Sequence, residues 1–151
     1  MSSPKDAFGL QRFVDAQQPV YEQALAELRR GRKQSHWMWF IFPQIAGLGG
    51  SAMARRYAIG SLAEARAYLD HALLGPRLDE CTRALLAHRG ARAEAILGGI
   101  DAMKLRSSMT LFGQAAGPDS RFDACIAAFF GGERDPKTLD LLGPGRSGRS
   151  P

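Results

Sequence analysis

Apolar residues recur every three to four positions along most of this chain, between residues that start and stop helices. Val20, Tyr21, Ala24, Leu25 and Leu28 share one helical face, with Pro19 in first-turn position and Gly31 as the stop. Ser61 and Glu64 have capping-box spacing ahead of Leu62, Ala65, Tyr68 and Leu69. Leu74, Leu78, Cys81 and Leu85 form a further stripe. Asp101 reads as the cap of a segment carrying Met103, Leu105, Met109 and Phe112. Phe122, Ile126, Phe129 and Phe130 continue the pattern up to Gly131 and Gly132. Asp135 and Pro136 then read as a cap and first-turn proline opening a short helix through Leu142. The competing signal, alternation of β-branched residues, is nearly missing, and valine occurs only at Val14 and Val20. The expectation is an all-α, compact single-domain bundle of about seven or eight short helices over residues 9–142. Residues 1–8 and the Gly/Pro/Arg tail 143–151 are expected to be disordered.

A chain of 151 residues is long enough for one substantial core. No apolar run reaches the ~20 residues that span a bilayer, and the N-terminus lacks a stretch of signal-peptide type. Cys81 and Cys125 sit far apart within amphipathic patterns and read as buried free thiols in a cytoplasmic protein. The net charge is +5, but Arg146 and Arg149 of the tail supply two of those charges. What remains is too mild for the dense basic stripe of a nucleic-acid binder, so nucleic acid is not the expected partner. The run Arg29, Arg30, Arg32 and Lys33 suits a helix C-terminus.

Catalytic constellations are sparse. His36, His71 and His88 lie in different segments, and neither cysteine has a partner at ligand spacing, so no metal and no cofactor is expected. Cys81 and His88 stand about 10 Å apart along one helix, too far to pair. Ser107 and Ser108 follow Lys104 by three and four residues, but the order is opposite to SxxK and nothing completes a triad. Small packing residues are the plainer reading of both serines. Whether the protein is an enzyme stays open. His36 is the candidate acid–base residue, since imidazole titrates near physiological pH.

The binding chemistry concentrates in residues 31–51, GRKQSHWMWFIFPQIAGLGGS. Ser35 reads as the cap of a short helix from His36 to Phe42, closed by Pro43. A helix apolar all round is normally core. Equally, one of Trp37 and Trp39 is placed to stack on a planar ligand, with Lys33, His36 and Gln44 as polar contacts. Gly47, Leu48, Gly49, Gly50 and Ser51 precede a further helix, and backbone amides at Gly49 and Ser51 are candidates for holding phosphate, with Arg55 one turn on. A plain connection capped by Ser51 explains the same residues. Neither a Walker loop nor a Rossmann fingerprint is present. Together these features point to a phosphate-bearing small molecule such as a nucleotide or ADP-ribose derivative, with Lys104 and Ser107 completing the pocket. The alternative is a non-enzymatic interaction module, or a homodimer using an exposed aromatic face.

The string HWMWFIFPQIAGLGGS, with KLRSSMTLF at 104–112, FVDAQQPVYEQAL at 13–25 and LGPRL at 74–78, resembles the domain of unknown function 1810 family over about residues 9–141. The resemblance implies an all-α fold and no established activity. Some members carry the label calpastatin, which regular amphipathic helices and an aromatic core do not support, because calpastatin-type inhibitors are disordered. A looser similarity is to helical proteins that process ADP-ribose-like nucleotides, which also carry a histidine–aromatic segment.

Overall fold

Residues 6–143 are described by the computed structural model, and helices supply almost all of their regular structure. The chain runs through α1 (Gln11–Gln17), α2 (Tyr21–Arg30), α3 (Met38–Ile41), α4 (Ala52–Arg56) and α5 (Leu62–Asp70). It continues through α6 (Leu74–Leu86), α7 (Ala93–Leu97), α8 (Gly99–Ala116), α9 (Arg121–Phe130) and α10 (Pro136–Leu142). The fold is all-α. There are ten helices among the described residues, against the seven or eight expected; seven of them have seven residues or more, and α3, α4 and α7 are single turns within connections. The expected disorder of residues 1–5 and 144–151 lies outside the described residues. Asp6 is tied in, its carboxylate accepting the amides of Leu10 and Gln11 at 2.6 and 3.1 Å.

Most helix boundaries follow their local chemistry. Gly31 ends α2 at φ 76°, a left-handed conformation that glycine adopts without steric penalty. Ser51, Ser61 and Asp135 cap α4, α5 and α10 with side-chain oxygens, and Pro136 occupies the first turn of α10. Three expectations are corrected. Pro19 lies in the turn before α2 rather than in its first turn. Asp101 lies inside α8, whose N-cap is Gly98, because its carboxylate is taken by lysines. Ser35 caps no helix, since its hydroxyl donates to Glu27 and α3 starts only at Met38.

The core gathers around α8, which packs against α5, α7, α9 and α10, while α6 packs against α2, α5 and α9. From Ser107 to Gly113 every residue of α8 is buried, including the small hydroxyl residues Ser107, Ser108 and Thr110, so this stretch is enclosed on all sides. At the α5–α6 junction, a side-chain carbon on Gly75 would lie 2.1 Å from the Leu69 carbonyl oxygen. Between α3 and α5 the chain makes an excursion held at its base by a parallel bridge between Ile45 and Ile59. There the Ile59 amide donates to Gln44 at 2.9 Å and the Ala46 amide to Ile59 at 2.8 Å. Cys81 and Cys125 are free and fully buried, and burial pushes both thiols up to about 12, so neither offers a thiolate. Among the described residues no helix is long and apolar enough to cross a membrane.

Candidate functional site

Residues 31–37 form no helix; the amides of Gly31, Arg32 and Lys33 find backbone carbonyls, and one carboxylate takes those of Gln34 and Ser35. Glu27, on the last turns of α2, is completely buried. It accepts the Gln34 and Ser35 amides at 2.8 and 3.0 Å, the Ser35 hydroxyl at 2.6 Å and the Trp37 indole N–H at 3.0 Å. The Gln23 amide adds a fifth donor at 3.1 Å. Burial by itself raises a carboxyl pKa, but these donors outweigh it and hold Glu27 down at about 2. Trp37 is thereby sealed, 1% exposed and packed beside Phe42.

The chain then turns outward. Lys33 places its ammonium 5.1 Å from the Trp37 ring centre and 2.9 Å from Asp101. Asp101 also meets Lys104 at 3.6 Å, one turn along α8. Lys104 in turn lies 4.6 Å from the ring centre of Trp39, which is only partly buried. One carboxylate therefore joins two lysines, each above a different tryptophan.

Trp39 and Lys104 face a cleft of about 480 Å³. Gln44 and residues 48–51 line it from the excursion, Ile100, Met103, Lys104, Arg106 and Ser107 from α8, and Asp135 and Lys137 from the start of α10. Two glycines of the excursion answer to packing. Gly47, at φ 102°, approaches Leu141, and a side-chain carbon on Gly49 would lie 2.8 Å from the Ala54 methyl. The α10 side is fastened by polar contacts. The Arg106 guanidinium donates to the Glu133 and Arg134 carbonyls at 2.8 and 2.9 Å, and the Asp135 amide donates to the Thr110 hydroxyl at 2.9 Å. The Ser107 hydroxyl donates to Asp135 Oδ2 at 2.9 Å. Lys137 is exposed and has no ion-pair partner among the described residues.

Of the ten residues singled out from sequence, Trp39, Gln44, Gly49, Ser51, Lys104 and Ser107 converge on this cleft from separate segments. The other four do not. Trp37 belongs to the core, and Lys33 is held in its ion pair with Asp101. His36 is exposed outside the cleft. Arg55 borders a neighbouring depression of about 290 Å³ and donates to the Gly50 carbonyl. The Ser51 hydroxyl accepts the Ala54 amide at 3.1 Å as an ordinary cap. Sequence reasoning missed Ile100, Met103, Arg106, Asp135 and Lys137. Asp135 was legible as a helix cap, but only the meeting of α8 with α10 places it beside Ser107. Among the described residues no group of three or more His, Cys, Asp or Glu side chains is placed to hold a metal ion.

The chain is similar to a solved structure described as that of the conserved hypothetical protein Rv1873 from Mycobacterium tuberculosis. The two are 52% identical, with 92% of this chain and 99% of the other covered and a TM-score of 0.90. No curated protein sequence matched. Residues 7–142, nearly the whole of the helical body, match the family described as protein of unknown function, DUF1810, and the chain belongs to that family.

Proposed function

We propose that the cleft between the excursion, α8 and α10 binds a phosphate-bearing small molecule with a planar ring, of the nucleotide or ADP-ribose type. The observation that carries this reading is the pairing of a partly open Trp39 with the ammonium groups of Lys104 and Lys137 in one cleft. A tryptophan face offers area for stacking to any planar ring. Two ammonium groups, one of them without an ion-pair partner among the described residues, offer charge-assisted hydrogen bonds to phosphate oxygens. As an anion enters, Lys104 swings from the ring toward it and leaves that face to the ligand. Gln44 supplies a neutral polar contact. The backbone at Gly49–Ser51 contributes shape more than charge, since α4 is only five residues long and Ser51 already serves as its cap. Lys33 acts at one remove, by sharing Asp101 with Lys104. The reading is one of binding and assigns no chemical step to His36.

Thermal denaturation of the full chain with AMP, ADP-ribose, NAD, ribose 5-phosphate and inorganic phosphate tests it. A ligand at a hundredfold its Kd stabilises the fold by about 2.7 kcal/mol, on the order of 5–10 °C for a chain of this size. The expected result is such a shift with one nucleotide class, lost in Trp39→Ala and in Lys137→Ala. No shift across the set sinks the reading.

A second reading has one observation in its favour. Ile100 and Met103, on the rim of the cleft, are 74% and 72% exposed. A second copy of the chain covering them would make a homodimer with an apolar centre. Sedimentation at increasing protein concentration tests this, and a monomer throughout rejects it.

A further inference from the structure

Four polar groups of the cleft divide by hydrogen-bonding role. Lys104 and Lys137 can only donate. Asp135 and Ser107 can only accept, for reasons set by their neighbours. Asp135 Oδ2 takes the Ser107 hydroxyl at 2.9 Å, the Thr138 amide at 3.2 Å and the Thr138 hydroxyl at 2.6 Å. Its Oδ1 carries no hydrogen bond among the described residues, and no lysine or arginine lies within 4.0 Å of the carboxylate. Ser107 has one proton, directed to Asp135 or to the Met103 carbonyl at 3.3 Å, so its oxygen meets a ligand as an acceptor. The acceptor pair is held rigidly. Arg106 clamps the carbonyls just before Asp135, and Thr110 holds the Asp135 amide.

An uncovered carboxylate oxygen repels phosphate placed against it and calls for a donor instead. Inorganic phosphate would satisfy the lysines alone, and a bare ring would satisfy Trp39 alone. Neither answers the acceptors. We propose that Asp135 and Ser107 recognise a vicinal diol, one hydroxyl donating to Asp135 Oδ1 and the other to Ser107 Oγ. The ligand is then a phosphate ester of a polyhydroxylated sugar, with the sugar held between the acceptors and the lysines. This rests on reading the cleft as a phosphate site and adds the chemical class of the ligand's middle portion. Asp135 and Ser107 are specificity residues in that scheme.

Calorimetric titration of the full chain with AMP, its 2′,3′-dideoxy analogue and inorganic phosphate tests the proposal. The intact protein is expected to prefer AMP over the dideoxy form by about tenfold or more, the usual worth of a hydrogen bond to a charged group. Asp135→Asn keeps a capping side chain of the same size and should bring that ratio close to one. Ser107→Ala should reduce it in part, and serves if the first variant does not fold. Equal affinity of the intact protein for both nucleotides overturns diol recognition and leaves the phosphate site standing. A preference that survives in both variants overturns the assignment to these residues. Affinity for none of the three probes removes the proposal together with the reading beneath it.

Discussion

Trp37 and Trp39 are two residues apart, and each lies near a lysine ammonium, at 5.1 and 4.6 Å from the ring centres. Their surroundings are nevertheless opposite. Around Trp37 every polar group is answered: Glu27 collects five donors, the indole N–H is one of them, and Lys33 is locked to Asp101. Around Trp39 polar groups remain open among the described residues, including Asp135 Oδ1 and the Lys137 ammonium. Residue type does not separate structure from function in this segment. Satisfaction does. A buried polar cluster with all its partners fixes a loop, whereas polar groups at the mouth of a cleft with partners missing have capacity left for a ligand.

Substitutions that break the closed side should have the largest effects. Trp37→Ala empties a fully buried site and strips Glu27 of a donor, so a loss of about 3–5 kcal/mol in urea denaturation is expected. Glu27→Gln removes the charge that organises residues 34–37 and should cost roughly 3 kcal/mol, with little change in the denaturant slope. Acid probes the same group. The carboxyl sits at about 2 in the fold against an ordinary 4.5, so its contribution is complete above about 4.5 and lost as pH falls toward 2. Between those limits the unfolded chain binds the proton first. The stability drop across that window should shrink by roughly 3 kcal/mol in Glu27→Gln, and an unchanged acid profile would show that Glu27 is not the responsible group. On the open side, Trp39→Ala should cost less, about 1–2 kcal/mol of folding from its partial packing on the core and its contact with Lys104, while removing ligand affinity. Acrylamide quenching of the two single-tryptophan proteins sharpens the contrast: Trp39 should be quenched readily and Trp37 scarcely at all.

Much of the helical plan was legible because caps and apolar spacing are local. Gly31, Ser51, Ser61 and the Asp135–Pro136 pair all act where their neighbours imply. Two of the three misreadings share a cause. Ser35 and Asp101 are good capping residues, but each was claimed by a side chain outside its own segment, Ser35 by Glu27 eight residues earlier and Asp101 by the distant Lys33. The site divides in the same way. Trp39, Lys104 and Ser107 were visible as residues with the right chemistry. That Trp37 belongs to the core depended on Glu27 ten residues earlier, and the role of Asp135 depended on α8 meeting α10.

The bridge between Ile45 and Ile59 closes a loop whose outer arc, α4, has no buried residue. Lifting that arc exposes little apolar surface, whereas Ile59 at its base is fully enclosed. In amide-exchange terms the arc should behave as a separate opening unit. The Ala54 and Arg55 protons should trade with solvent through a shallow local fluctuation, and those of Ala46 and Ile59 only when deeper structure gives way. The cleft thus has a compliant wall facing a stiff one, and an occupant would announce itself first as slowed exchange along α4.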